Sequence, residues 1–450
     1  MFYVFPELFV KHLNMPNHQQ KINKISHQLK NRKSTTPLSL KKKAPPHQVP
    51  KPRDRRLDDE KIDVSDLHQI LHIDLEKKIC IAEPGVTFTD LVKETLKYNL
   101  VPMVVPELKT ITIGGAVSGC SIESMSFKYG GFHDTCLEYE IITGKGDVLI
   151  CTPTNEYRLL FQMVHGAFGT LGIISKLKFK LIPSKPFVKV TYEKYHNIED
   201  YKKAIWDHFT KNDVDYMDGI IHSPQEYVLC VADFVDSAPY TNSYYWMKIY
   251  YLTTNKLKED YLKTYDYFFR YDKGVTNVNP KSFLGRLLFG WFTNSTNTLS
   301  LAKIFNRWLP EHLIPMTLDV MIPFSKIKGY LQWHTKVVKH YPLWCVPYKV
   351  VREYEWISED YNRKNSDQLF LDIAIYGMRK NNNINYYQLI EEELMRIGGI
   401  KSLISNNYYS EADFWKVFNK ENYYNAKRIA DPDNIFRDLY TKTCKAVMGL

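Results

Sequence analysis

TITIGGAVSGCSIESMSFKYGG, residues 110–131, decides how the rest of the chain is read. Five glycines stand among serines and threonines, with almost no net charge. A flexible linker of that glycine content would be polar, but Ile111, Ile113, Val117, Ile122, Met125 and Phe127 are woven through this one. A glycine-rich segment that is also apolar has to pack against something. Gly114, Gly115 and Gly119 lack a Cβ, so a ligand can approach their backbone closely, while Thr112, Ser118, Ser121 and Ser124 add hydroxyl donors. Consecutive free N–H groups form a concave anion site without a lysine. A large, flat, partly apolar ligand carrying a pyrophosphate suits the mixture. A tight turn with close packing between strands is the other reading of the same spacing.

Upstream, short β-type runs cover 62–64, 71–74 and 78–82, and Pro84-Gly85 makes a turn. A helix is predicted over 87–98, capped by Thr87 with Asp90 three residues on and faced by Leu91, Val92 and Leu96. Downstream, strands resume over 137–143 and 148–152 around a hairpin turn at 144–147. HGAFGTLGIISKLKFKLIPSK (165–185) then places three glycines at a spacing of three before a clear alternation through Leu177, Phe179 and Leu181.

From 186 to 404 β-type runs alternate with helical patterns at 199–210, 325–340 and 386–397. The expected class is α+β, with an antiparallel sheet covered on one face in the second unit. The predicted division is a short apolar N-terminus (1–14), a first domain (15–185, with a basic arm at 15–60), a second domain (186–404) and a closing segment (405–450).

The chain has 450 residues and a formal net charge of +10. The first 60 residues hold thirteen Lys and Arg against five Asp and Glu, so the body is nearly neutral. That excludes a surface built throughout to hold nucleic acid. The arm reads either as a solvated tail or as a segment that wraps an anion. Seven scattered cysteines without a CxxC pair argue against a disulfide framework or a zinc module and for a reducing compartment. MFYVFPELFVKHL (1–13) is too short and too interrupted to be a signal peptide or a span, so no transmembrane segment is expected. The expected location is cytoplasmic, compatible with peripheral contact to an intracellular membrane. A GxGxxG after a strand, a GxxxxGK[ST] loop, an HExxH and a GxSxG are all missing, and no metal site is expected.

The run PELKTITIGGAVSGCSIESMSFKYGGFHDTCLEYEIITGKGDVL (106–149) resembles the flavin-binding heart of the vanillyl-alcohol-oxidase-like superfamily, whose members carry a PCMH-type FAD-binding domain. HGAFGTLGII (165–174) and DPDNIF (431–436) are similar to its later signatures. Within that superfamily the chain resembles the delta(24)-sterol reductases. The resemblance lies in IESMSFKYG (122–130), Cys151-Thr152-Pro153, LIPSKPFVKV (181–190), LFGWF (288–292), PLWCVP (342–347), LDIAIYG (371–377) and EADFW (411–415). It runs in order from about residue 60 to the end, over both domains.

The resemblance implies a PCMH-type FAD-binding domain joined to an α+β substrate or cap domain. It implies that Thr112, Ile113, Gly114, Gly115, Ala116, Val117, Ser118, Gly119, Cys120, Ser121, Ile122, Glu123 and Ser124 line FAD. Gly169, Thr170, Gly172 and Ile174 would stand on the adenine and pyrophosphate side, and Lys427 would join from the closing segment. Many superfamily members carry a glycine-rich loop whose histidine links covalently to the flavin. Here SLKKKAPPHQVPKP (39–52) has no glycine and only His47, so FAD is expected to be non-covalent. NADPH would be the electron donor.

The implied activity is reduction of a C=C bond in a sterol or isoprenoid-like, lipid-like substrate, by hydride from flavin N5 and a proton from an acid. Candidates for that acid are Asp372 and Tyr376, four residues apart on one predicted strand, Asp319 within TLDVMIP, and Tyr408. A lone carboxylate in an apolar run is either paired or functional, and a satisfied structural role stays open for each. His222 reads as a packed strand-end residue. Trp291, Trp344 and Tyr348 are candidates to line a broad apolar pocket. One alternative is an FAD-linked oxidase or dehydrogenase of a sugar, aldonolactone or polyol. The other is a catalytically inactive flavin-fold binding protein. Fold alone does not choose among these.

Overall fold

The structure is a computed structural model, and it describes residues 17–44, 47, 56, 58–246, 248–274, 315–381 and 383–448. Residues 1–14, most of 45–57, LFGWF (288–292) and Trp291 lie outside the described residues. A two-stranded parallel ribbon joins β1 (Leu38–Lys41) to β2 (Glu60–Asp63). The first large sheet has the order β3-β4-β8-β6-β7, from β3 (Ile70–Asp74), β4 (Ile79–Ala82), β6 (Cys136–Ile142), β7 (Val148–Cys151) and β8 (Ile173–Pro183). A short strand, β5 (Leu100–Pro102), pairs with β8 from the side. β8 shows why these residues make a strand. Ile173, Ser175, Leu177, Phe179 and Leu181 are buried, while the lysines between them turn outward at a period of two.

The second sheet has eight antiparallel strands in the order β12-β9-β11-β10-β14-β15-β13-β16. They are β9 (Phe187–Tyr195), β10 (Tyr216–Ser223), β11 (Glu226–Val235), β12 (Glu259–Lys263), β13 (Met316–Pro323), β14 (Leu343–Lys349), β15 (Leu369–Met378) and β16 (Ile400–Lys401). The fold is α+β with antiparallel sheets, as the alternating texture of the sequence implies.

One face of the second sheet, with Leu371, Ile373, Ile375, Leu318 and Val320, forms a core of its own with helices Ile198–Lys211, Ile327–Val337 and Tyr386–Ile397. The other face, with Tyr216, Ile220, Trp344, Val346 and Ala374, is continuous with the core of the first sheet. Carboxylates stand on that second face. Asp218 lies between Tyr216 and Ile220, Asp319 is paired opposite Ala374, and Asp372 is paired opposite Met321 and Val346. Alternation in the strands therefore turns these acids toward the glycine-rich half of the molecule.

The two halves are tied by specific bonds. Asp134, 1% exposed at its side chain, accepts from Arg352 Nη2 at 2.9 Å, from Tyr354 Oη at 2.8 Å and from its own Gly131 N–H at 2.8 Å. Met217 N donates to Ser124 O at 2.8 Å. Removing one partner from a buried, satisfied ion pair leaves an uncompensated charge, which makes the Asp134 latch sensitive to substitution.

The basic arm is neither a solvated tail nor an anion wrap over its first half. Residues His18–Lys30 form a helix, α1, with a reciprocal Asn17–Gln20 capping box and Ile22, Ile25 and Leu29 buried on one face. Spacings of three and four residues between apolar positions were diluted by lysines and glutamines, which hid the stripe. His18 bridges two carboxylates, with Nδ1 2.9 Å from Glu83 Oε1 and Nε2 2.8 Å from Glu140 Oε1. The Glu140 and Glu83 bonds raise His18 to about 9 against the cost of burial. Burial alone would raise Glu140, but His18, Lys176 and Ser175 hold it at about 2.

The imidazolium therefore contributes stability that is complete below the ordinary histidine value and is lost as pH rises through about 9. The glutamate's contribution is present above its ordinary value and lost as pH falls toward 2. His18→Gln is expected to lower the melting temperature at pH 6 and to narrow the gap to the parent at pH 10. Melting curves at the two pH values check this, and a gap that does not change with pH refutes it.

Candidate functional site

The glycine-rich segment 110–131 holds two short helices, α2 (Ile113–Gly119) and α3 (Ser126–Tyr129), rather than an irregular turn. Thr112 caps α2 in an extended conformation, and its Oγ1 accepts from Gly115 N at 3.2 Å. Cys120 ends the helix with φ 53°, a left-handed position. The expected row of free N–H groups is not there. Ile113 N donates to Val86 O, Gly114 N to Pro84 O and Gly115 N to Thr112, so the helix start is already satisfied.

Small residues do make a cleft. Its empty volume is about 710 Å³, and it is walled by Thr112, Gly114, Gly115 and Ser118 on one side and by Gly169, Leu171, Gly172, Ile173 and Ile174 on the other. Lys42 and Lys43 close it from the basic arm. Gly169 and Gly172 have φ of +72° and +89°, which side-chain-bearing residues rarely adopt, and a Cβ on Gly172 would meet Ile142 O at 2.9 Å, so that glycine serves packing against β6. A Cβ on Gly114 would meet Pro84 Cβ at 2.5 Å, so that glycine serves packing as well. A Cβ on Gly115 would meet only Thr112 Oγ1, at 3.1 Å, and otherwise open space. The cleft is a cradle that a side chain at Gly115 would enter. Two glycine walls, a hydroxyl pair and two lysines fit a dinucleotide with a pyrophosphate.

Other expected cofactor residues are placed elsewhere. Ile113, Ala116 and Val117 are fully buried in the core beneath α2. Gly119 and Cys120 turn to a second cavity. Ser121 uses its backbone, accepting from Phe132 N and donating to Ala116 O. Ile122 packs against the main core, and Glu123 and Ser124 face the second sheet. Thr170 is buried behind the cleft, accepting at its hydroxyl from Tyr423 Oη (2.9 Å) and at its carbonyl from Lys427 Nζ (3.1 Å). Lys427 is paired with Asp431 at 2.6 Å, so it braces the loop rather than lining the cleft. His47 Nε2 meets Thr110 Oγ1 at 2.9 Å, and burial lowers His47 to about 4.

The second cavity, about 620 Å³, adjoins the first across Ala167, which lines both. Its walls include Met163, His165, Met321, Trp356, Leu403, Trp415 and Phe418. Met321 stands in register with Asp372, and Asp372 is 2% exposed, with an Oδ1 that has no hydrogen-bond partner among the described residues. Tyr376 Oη donates to Asp319 Oδ1 at 2.5 Å. Glu107 and Glu123 reach the same interior from the glycine-rich half.

Burial, with the charge of Glu123, raises Glu107 to about 8, and burial raises Asp319 to about 6. Burial and the neighbouring Asp319 and Glu107 push Asp372 well above the carboxylate range. Arg270, sandwiched by Tyr250, Tyr267 and Tyr271, pairs with Asp218 at 2.9 Å and lies 3.4 Å from Glu123. Burial thus favours the protonated forms of Glu107, Asp319 and Asp372 in this interior.

Sequence reading brought Asp319, Asp372 and Tyr376 together and missed Glu107, Asp218 and Arg270. Glu107 sits in PELKT directly before the glycine-rich run, and that position was the available signal. Tyr408 is not brought to the cluster. Its N–H is held by Glu391, and its ring packs on Tyr387 with the helices of the far face. Trp344 donates to Asp218 and Tyr348 joins the Asp134 latch, and neither is in the walls of these two cavities. His222 meets Thr254 at 2.9 Å, away from the site. Among the described residues no group of side chains could hold a metal ion, and no helix is long and apolar enough to cross a membrane. All seven cysteines are free.

Residues 53–152 match the family model described as an FAD binding domain. The chain is 24% identical over 402 residues to a delta(24)-sterol reductase of Homo sapiens, covering 84% of this chain and 77% of that protein. It is 27% identical over 434 residues to that of Pisum sativum (85% and 76%). It is 24% identical over 425 residues to a delta(24)-sterol reductase homolog of Caenorhabditis elegans (86% and 79%). A cytokinin dehydrogenase of Arabidopsis thaliana is 33% identical over 105 residues, 23% of this chain and 18% of that protein. The chain therefore carries a PCMH-type FAD-binding domain, resembles the delta(24)-sterol reductases along most of its length, and is an FAD-dependent oxidoreductase.

Proposed function

We propose that the protein reduces an isolated C=C bond of a sterol or isoprenoid-like lipid, with NADPH as electron donor. The observation that carries this reading is the burial of Asp319 and Asp372 on the sheet face turned toward the glycine-rich half. FAD, when bound and reduced, supplies the hydride. The residues of this chain have three tasks. α2 and the 166–174 loop hold the dinucleotide, with Lys42 and Lys43 offsetting pyrophosphate charge. The apolar walls around Met321, Leu403 and Phe418 exclude water from the acceptor. Asp372 gives a proton to the second alkene carbon, and the Tyr376–Asp319 pair with Glu107 replenishes it through the cluster.

An acid kept protonated by burial is what ene reduction needs, whereas oxidation of an alcohol needs a base. A polyol site would also require many polar groups, and in the second cavity the polar side chains of His165, Lys401, Ser402 and Asn419 are outnumbered by aromatic, aliphatic and methionine ones. Cytoplasmic residence and peripheral contact with an intracellular membrane fit this lipid-handling role.

Anaerobic addition of NADPH to the purified yellow protein is expected to bleach the flavin. Adding a Δ24-sterol such as desmosterol should then restore the oxidised spectrum and yield the product saturated at C24–C25. Bleaching without sterol-dependent reoxidation sinks the substrate reading. Failure to bleach sinks NADPH as the donor.

A further inference from the structure

The second cavity holds an imbalance that the reaction chemistry does not explain. Most of its wall is apolar, yet three of its lining residues bury polar atoms that have no hydrogen-bond partner among the described residues. These are Trp356 Nε1, Trp415 Nε1 and His165 Nδ1. His165 is 1% exposed, its Nε2 is occupied by Tyr139 Oη at 2.9 Å, and burial keeps the ring neutral. A buried polar atom left without a partner is costly, and these three border one cavity. The two tryptophans belong to segments clamped together, since Ile357 bridges Phe418 and Asn419 N donates to Trp356 O at 3.0 Å. Both tryptophans thus stand on one clamped part of the cavity wall. Indole N–H donates only, so it selects an acceptor oxygen and has nothing to offer a cation.

We infer that this cavity seats the body of the lipid substrate and that the indole N–H groups of Trp356 and Trp415 bind its one oxygen, a hydroxyl or carbonyl at the end remote from the reacting bond. The inference rests on the reading of the protein as a sterol or isoprenoid reductase, and it specifies that reading further. The cavity's apolar wall rewards a ring system without further polar groups. Ala167 places the cavity beside the cofactor cleft, and Met321 in its wall is the cross-strand partner of Asp372. Discrimination would then come from the desolvated donors. An analogue without the oxygen leaves them orphaned, and a polyhydroxylated compound strands its surplus hydroxyl groups against aromatic walls.

The test uses the full-length flavoprotein with Trp356→Phe, Trp415→Phe and the double variant, which remove the N–H and keep most of the ring. Binding is measured by titrating desmosterol and its 3-deoxy analogue and following the flavin spectrum, and turnover is measured separately. The double variant should bind desmosterol about tenfold or more weakly, keep its affinity for the deoxy analogue, and keep full FAD content. KM should rise with kcat little changed. Equal losses for both ligands, or none, overturn the assignment of the indoles. Loss of FAD from the variants also overturns it, because the cavity would then belong to the cofactor. If the parent binds desmosterol with the expected discrimination but never reduces it, the subsite stands and the proposed reaction falls. If the parent reduces desmosterol and the variants discriminate as it does, the reaction stands and the subsite falls. If the parent binds no sterol, both fall.

Discussion

Gly115→Val is expected to give a folded protein without flavin. The position is separable from the core, since a side chain there meets only the capping hydroxyl of Thr112 and then projects into the cleft. The neighbouring Gly114 behaves differently. A Cβ there would press on Pro84 Cβ at 2.5 Å and on the backbone carbonyl that accepts the Gly114 N–H. Gly114→Ala should therefore cost stability by overpacking, ~1–3 kcal/mol, with cofactor loss following from the distortion. The pair separates two roles that adjacent glycines share on paper. Gly115→Val should keep the parent's far-UV circular dichroism and lose the visible flavin absorbance entirely, while Gly114→Ala should lower the melting temperature of apoprotein and holoprotein alike. Full flavin occupancy in folded Gly115→Val would show that α2 does not face the cofactor, and the cleft would need another occupant.

The contrast also shows what the sequence could carry. The string TITIGGAVSG announces close approach, but it does not say which glycine is approached by a ligand and which by a proline. The free N–H row fails for a related reason. A short helix start was hidden in the apolar run, and it consumes its own donors through Val86, Pro84 and Thr112. Strand alternation was legible, which is why Asp372 and Tyr376 could be set on one face before the sheet was seen. Tyr408 could not be excluded in the same way, because it lies in a loop where no period fixes direction. Glu107, Asp218 and Arg270 were missed because their meeting depends on how the two sheets face each other. That contact is long-range, and no local pattern encodes it. α1 was missed because its stripe is three residues wide and surrounded by lysine and glutamine.

Asp372→Asn is expected to slow the reoxidation of reduced enzyme by desmosterol ~10²–10⁴-fold, the range that a positioned general acid supplies, while the rate of flavin reduction by NADPH stays within about twofold of the parent's. The substitution keeps shape and polarity and removes only the transferable proton. Stability should move the other way. A buried carboxyl whose pKa is raised above its unfolded value makes the folded state bind more protons than the unfolded chain. Its contribution to stability therefore falls as pH rises from the ordinary carboxylate range toward the folded value. The asparagine variant escapes that penalty, so it should melt at or above the parent's temperature at pH 8, and more so than at pH 5. A slower and more stable enzyme is the signature of a residue retained for chemistry at the expense of the fold. In the parent the reoxidation rate should decline as pH rises through the folded value of the donor, and in the variant the residual rate should lose that dependence. If the variant reoxidises at the parent's rate, Asp372 is a structural acid and the proton comes from elsewhere in the cluster. The same measurement on Glu107→Gln would then show whether the carboxyl held at about 8 on the glycine-rich side is the donor.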